Sequence, residues 1–292
     1  MSGGGFTIPE TPEQFEAELE MYAELDELAR HYFRSVKPAK SLGGEFEHLE
    51  KLFSPDRLNI DEGFVVDLAA SDGVCGSCTL KFFRDRKWPG LAIEMNAELF
   101  AKLAFVYAKF PWARLARGRV TPYNVGPMLN AFDVPKDFTL LNLDIDSYDL
   151  RVLESILDAG FKPKVISMEI NEKIPPPIYF SVDYSDDHYW QGDHFYGCSL
   201  SAAAEVVKPR GYVLESVQCN NAIFVESGTA MGKIEDVGVE KAYREGYADI
   251  PDRKALFEWN GNVDCLLTMG RDESVEFIHD LFSKYAGSYT VR

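Results

Sequence analysis

"GFVVDLAASDGVCGSCTLKFFRD", residues 63–85, opens with an apolar run that has no helical period and breaks into small residues and glycine. A short apolar run bounded by turn residues reads as a buried strand, and the turn leads into a helix. The same pairing then repeats along the chain. "GLAIEM" (90–95) is a strand and "NAELFAKLAFVYAKF" (96–110) a helix with Asn96 as its N-cap. "ARLARGRV" (113–120) is a short strand and "VGPMLNAF" (125–132) is helical. "FTLLNLDI" (138–145) is a strand, and the helix after it, "YDLRVLESILDAG", is closed by Gly160. "KVISMEI" (164–170) is a strand again. Alternating strands and helices imply parallel strands joined by right-handed crossovers, so the expected fold is α/β with a doubly wound, mostly parallel sheet.

The flanks read differently. Thr11-Pro12-Glu13-Gln14 is a capping box with proline at the first helical position, and apolar spacing carries that helix to about residue 35. A short helix is expected at "GEFEHLEKLF". Residues 171–199 are aromatic, proline-rich and without period, which suggests an ordered lid. Its first part, "NEKIPPPI" (171–178), should be stiff and extended, because residues before proline avoid the helical region. "LSAAAEVVKP" is a helix ended by Pro209, and "GYVLESVQCNNAIFVES" (211–227) an antiparallel hairpin turning at Asn220-Asn221 on the edge of the sheet. The tail reads as helices, clearest at "ESVEFIHDLFSKY" (273–285). The expected organisation is an N-terminal helical extension (1–60), a central domain (61–230, lid 171–199) and a C-terminal helical extension (231–292).

The 292 residues carry a formal net charge of −17. Such a field repels phosphate backbones, so nucleic acid is not an expected partner. No apolar stretch is long enough for a membrane span, and the N-terminus lacks the pattern of a secretion signal. Five widely spaced cysteines argue against a disulfide framework and for a reducing compartment, the cytoplasm. Cys75 and Cys78 form a C-x-x-C that reads as a redox pair, half a zinc site, or simply two small residues of a loop. A small-molecule substrate is expected, and a homo-oligomer is compatible with the chain.

Ligands of open parallel sheets bind at the carboxyl ends of the strands. There the chain places Asp67, Ala69, Ser71 and Gly73, then Glu94 and Met95, then Asp144 and Asp146, then Glu169 and Asn171. An acid 20–25 residues after a first turn of small residues is placed to bond ribose hydroxyls, which is Glu94. The first turn lacks G-x-G-x-x-G, so a nucleoside without a pyrophosphate fits better than a dinucleotide, and S-adenosylmethionine is the commonest such cofactor. The bland reading of Glu94 is a surface acid.

"FVVDLAASDGVCGSCTLKFF", "GLAIEMNAELFAKL" and "LLNLDIDSYDLRVLESI" resemble successive motifs of class I S-adenosylmethionine-dependent methyltransferases, and within them the FkbM-like group. The closing hairpin is similar to the strand pair that ends the Rossmann-like methyltransferase sheet. The resemblance covers about residues 60–227. It departs from the usual pattern at Ala69 and at Ser147, where relatives carry glycine. It implies that Asp67, Ala69, Ser71 and Gly73 line the methionine side of S-adenosylmethionine, with Glu94 on its ribose and Met95 and Asp144 beside it.

Asp144, Asp146, Glu169 and Asn171 are an all-oxygen set suited to Mg²⁺ or Mn²⁺. Alternate residues of an extended strand share a face, so Glu169 and Asn171 can converge. A cation there would orient neighbouring hydroxyls and lower the pKa of the attacking one. Candidate bases are His194, His188 and Lys173, with His194 preferred. Without metal, Asp144 positions the substrate or the cofactor's amino group; Asp146 and Asp149 can instead serve as caps of the following helix. The leading expectation is an O-methyltransferase acting on a small hydroxylated acceptor, a sugar or natural product. N-methylation, an intramolecular reaction of the cofactor, a non-catalytic binding module and an NAD-dependent oxidoreductase are the alternatives.

Overall fold

The computed structural model describes residues 44–292. The helix expected from the Thr11–Gln14 capping box lies outside them. Helix α1 (Glu45–Leu52) turns Phe46, Leu49 and Leu52 inward. Five strands then form where the apolar runs stand: β1 (Val65–Leu68), β2 (Gly90–Glu94), β3 (Ala113–Arg117), β4 (Leu140–Leu143) and β5 (Val165–Glu169). Between them lie α2 (Leu80–Arg84), α3 (Ala97–Tyr107), α4 (Val125–Ala131) and α5 (Asp149–Asp158). Every residue of β1, β2, β4 and β5 is buried, as befits strands covered by helices on both faces. Only β3, at the sheet edge, is partly exposed. Asn96 does cap α3, its side chain accepting from the backbone N–H of Glu98 and Leu99.

After β5 come β6 (Phe180–Val182), α6 (Leu200–Val207) and the hairpin β7 (Tyr212–Gln218) with β8 (Asn221–Glu226). The sheet order is β3-β2-β1-β4-β5-β8-β7, parallel throughout except for β8, which runs against both its neighbours. This is the expected Rossmann-like methyltransferase arrangement. Strand order reverses between β1 and β4, so the crevice beyond their carboxyl ends is the natural ligand site. Among the described residues, no helix is long and apolar enough to cross a membrane.

Three local expectations need correction. The hairpin turns at Cys219-Asn220, with Asn221 already paired in β8 opposite Gln218; Cys219 takes the left-handed conformation at φ 57° that asparagine was expected to supply. "NEKIPPPI" is folded into two turns, closed by Ile174 N–H to Asn171 O and Ile178 N–H to Pro175 O, because proline's fixed φ also suits turn positions. The lid is not free of regular structure. Its strand β6 pairs antiparallel with β9 (Tyr289–Val291), at the end of a tail that otherwise carries α7 (Arg271–Leu281) and shorter helical turns. A three-residue strand is too short to leave a period, and its partner stands more than a hundred residues away.

That pairing lies beside a second apolar core, separate from the one around the sheet. Ile178, Phe180 and Phe195 of the lid pack there with Leu266, Ile278 and Phe282 of the tail. Lid and tail therefore share a core. Gly246 is one place where the tail meets the sheet, since a Cβ there would stand 2.1 Å from the carbonyl oxygen of Val217.

Candidate active site

At the β1–β4 reversal lies a cavity of about 380 Å³, within the usual range for small-molecule sites, roughly 300–1,000 Å³. Part of its lining is Ala69, Ser71, Glu94 and Met95, and part is the loop from Asp144 to Tyr148. Arg119 and the lid residues His188, Tyr189 and Trp190 complete it.

The first part is held by Glu94. Its Oε2 accepts the Ser71 backbone N–H at 2.9 Å and its Oε1 that of Asn96 at 2.6 Å, tying the loop after β1 to the start of α3. Ala69 and Ser71 both sit at positive φ, 69° and 52°, where a side chain is disfavoured. Glycine would hold that conformation without a side-chain clash. Of the residues expected to touch the cofactor, Ala69, Ser71, Glu94, Met95 and Asp144 line the cavity, while Asp67 and Gly73 do not. Asp67 lies beneath the loop, its carboxylate accepting from Thr79 Oγ1 and Asn142 Nδ2, with burial raising its pKa. Gly73 is set against α3, where a Cβ would stand 2.6 Å from Leu103.

Asp144, Asp146 and Glu169 converge, with ligand oxygens all within 4.8 Å of one another. Among the described residues this is the one grouping of three or more acids, histidines or cysteines so placed. Cys75 is exposed and Cys78 buried, neither belonging to such a group. Burial first, and then the neighbouring carboxylates, push Asp144 and Glu169 well above the usual carboxylate range. Asp146, at φ 55°, is raised by burial and eased by Lys173. Glu169 Oε1 accepts from Asn220 Nδ2, but its buried Oε2 has no partner. Oxygens bound to one ion at about 2.1–2.4 Å lie no more than roughly 4.2–4.8 Å apart. An orphaned carboxylate oxygen, mutual repulsion and an all-oxygen donor set thus fit a hard divalent cation.

Asn171 is anchored through its amide nitrogen. Its amide donates to the carbonyls of His194 and Tyr196, pinning the lid, and its Oδ1 is buried without a partner. Asp149 shapes the loop rather than facing the cluster, accepting from the N–H groups of Ile145 and Ser147; burial raises its pKa to about 6.

The candidate bases separate. His188 lines the cavity, and its Nε2 has no hydrogen-bond partner. His194 does not line it; its Nε2 pairs with Asn262 Oδ1 at 3.0 Å and its ring stacks on Trp259. Burial lowers both imidazole pKa values. Lys173 is buried, its Nζ 3.1 Å from Glu172 Oε1 and hydrogen-bonded to Tyr196 Oη. Burial pulls its pKa down while Glu172 pulls it up.

Sequence reasoning missed Arg119. Its guanidinium donates to Tyr148 Oη and to the carbonyls of Ser185, Asp186 and His188, and lies 4.6 Å from the Tyr189 ring centroid. The signal was present: β3 is the strand whose end carries basic residues instead of an acid. Glu172 was also missed. It accepts from Lys173, Tyr196 and Asn260, and nothing in the tail sequence marks Asn260 or Trp259 as part of a site.

No family model matches the chain, and no curated protein matches it in sequence. Solved structures do. A S-adenosylmethionine-dependent methyltransferase from Clostridium acetobutylicum is 14% identical, with TM-score 0.39 over 73% of this chain and 99% of that one. The glycopeptide N-methyltransferase MtfA complexed with S-adenosyl-L-methionine is 15% identical, with TM-score 0.37 over 64% and 93%. The N-terminal domain of EvdMO1, in the presence of SAH and D-fucose, is 10% identical, with TM-score 0.43 over 70% and 95%. At these values the likeness is one of fold alone.

Proposed function

We propose that this chain is an S-adenosylmethionine-dependent O-methyltransferase of the FkbM-like kind, acting on a small hydroxylated acceptor, a sugar or natural product. In this reading Asp144, Asp146 and Glu169 hold a divalent cation, Mg²⁺ or Mn²⁺. The observation that carries it is a cavity of about 380 Å³ lined both by Glu94 and by two of the three clustered acids, Asp144 and Asp146.

Glu94, fixed by two backbone N–H groups, offers its remaining lone pairs to ribose hydroxyls. The loop at Ala69 and Ser71 lies along the methionine side. Once bound, S-adenosylmethionine supplies a sulfonium methyl group open to in-line displacement. A cation at the acid trio would supply charge that orients the acceptor's hydroxyls and lowers the pKa of the attacking one. Arg119 closes the lid and keeps water from the cavity. His188, kept neutral by burial, takes the acceptor's proton. Five unpaired cysteines suit the cytoplasm.

N-methylation is the second reading: the acids beside the cavity can accept the N–H groups of a neutral amine, the form that carries the attacking lone pair. Titration calorimetry with S-adenosylhomocysteine tests the cofactor assignment. Saturable binding is expected, and the absence of heat at millimolar ligand overturns it. Activity that survives a strong chelator removes the cation, and the methylated atom separates the two readings.

A further inference from the structure

Nine of the eleven residues of α3 are apolar or aromatic, yet only Leu103 and Tyr107 are buried. Helix α6 behaves differently, burying all six of its apolar residues. A helix apolar on every side belongs in an interior or an interface. The exposed side of α3 is a stripe of Ala97, Ala101, Phe105 and Ala108, spaced to lie along one face. Phe105 is 46% exposed.

Charge on this side is inverted. The chain holds 47 acids against 30 bases, but residues 99–132 carry Lys102, Lys109, Arg114, Arg117 and Arg119 and no acid. Glu98, the one acid of α3, is paired with Lys102 at 3.0 Å. Strand β3, against which α3 packs, ends the sheet and exposes Arg114 and Arg117. Lys109, Arg114 and Arg117 pair with no acid among the described residues. Elsewhere on the surface Lys162, Lys208, Arg210 and Arg292 each hold one.

We propose that α3 and the β3 edge form a docking face for an acidic amphipathic helix of a partner protein. The proposal goes beyond the methyltransferase reading and does not depend on it. The alanines keep the stripe shallow, so a second helix can approach to the usual interaxial distance of about 8–10 Å. Phe105 then enters the partner's apolar face, as in other helix recognition. Carboxylates on the partner's flanks meet Lys109 at the end of α3 and the two arginines beyond it. A nucleic acid has no apolar side chains to cover the stripe, and the rest of the chain repels it. Membrane insertion draws on several large apolar side chains, and Phe105 is the one residue of α3 among the exposed large hydrophobics. A second copy would set these bases against their own kind.

The full chain is titrated with a dye-labelled synthetic helix of about 18 residues, leucine along one face and glutamate on the others, and binding is read by fluorescence anisotropy. Saturable binding is expected, weakening about tenfold as NaCl rises from about 0.05 to 0.5 M. Peptides with lysine for glutamate, or serine for leucine, should not bind. Phe105→Ser and Lys109→Glu, both at exposed positions, should each weaken binding about fivefold with Tm unchanged. No binding, equal binding of a control peptide, or variants that bind like the parent overturns the proposal. Replacing Phe105 by the photoreactive p-benzoylphenylalanine identifies the occupant. A cross-link to the peptide supports the proposal. A cross-link between two copies, or one within the chain that the peptide does not displace, overturns it, as does co-sedimentation of the parent with phosphatidylserine vesicles.

Discussion

Glu94→Gln separates the two duties assigned to Glu94. The carboxylate accepts one backbone N–H on each oxygen, at 2.9 Å from Ser71 and 2.6 Å from Asn96. A glutamine keeps one acceptor and turns an –NH₂ toward the other N–H. One charge-assisted bond is lost and the other becomes neutral, a cost of about 2–4 kcal/mol. For a folded unit of this size that lowers Tm by roughly 5–15 °C in differential scanning calorimetry. The ribose bond is a separate quantity. Loss of a hydrogen bond to a charged acceptor, about 1.5–3 kcal/mol, weakens S-adenosylhomocysteine binding about 10- to 150-fold. A destabilised loop also weakens binding, so the informative measurement is a ratio. Parent and variant are titrated with S-adenosylhomocysteine and with its 2′,3′-dideoxy analogue. In the parent the hydroxyls should contribute strongly, and in the variant the two Kd values should approach each other. If the ratio is the same in both proteins, Glu94 is only a strap between the β1 loop and α3, and the ribose assignment is wrong.

Asp144→Asn with Glu169→Gln removes two mutually repelling buried carboxylates. Thermal stability without metal should hold or rise, whereas the gain the parent shows in Mn²⁺ at a hundred times Kd, about 2.7 kcal/mol, should vanish; a persistent Mn²⁺ shift would place the ion elsewhere. Arg119→Lys surrenders the bonds to Tyr148 and three lid carbonyls. The dissociation rate of S-adenosylhomocysteine, followed by stopped-flow fluorescence of Trp190, should rise at least tenfold, and an unchanged rate denies the lid a latch. Glu215 joins β7 to α1 and the loop after it, accepting from His48 at 2.7 Å and Arg57 at 2.9 Å. Burial works to raise its pKa, but these partners and Ser216 prevail and hold it below the usual value. A depressed carboxylate stabilises the fold above its unfolded pKa, about 4.3, and loses that contribution as pH falls through the folded value. Glu215→Gln should therefore cost about 1.5–3 kcal/mol at pH 7 and progressively less below pH 4. An equal loss at pH 3 would mean that packing, not charge, explains it.

The alternation of apolar runs and helices determined the parallel sheet, because strands buried on both faces are predominantly apolar and their parallel crossovers are helical. It also placed Ala69, Ser71, Glu94, Asp144, Asp146 and Glu169 at strand ends, where a doubly wound sheet gathers its ligand groups. Local chemistry sufficed for Asn96, whose capping bonds reach only two and three residues ahead. Spacing alone did not place Asp67 and Gly73 outside the cavity lining, since a strand-end position does not say whether a side chain meets the cavity or the neighbouring strand and helix. Tertiary structure alone decided the rest. Arg119 reaches the lid 66 to 69 residues away, Glu172 meets Asn260 88 residues on, and β6 finds its partner only at the C-terminus. Such contacts leave no period in the sequence, because each is made by single side chains or three-residue strands far apart along the chain.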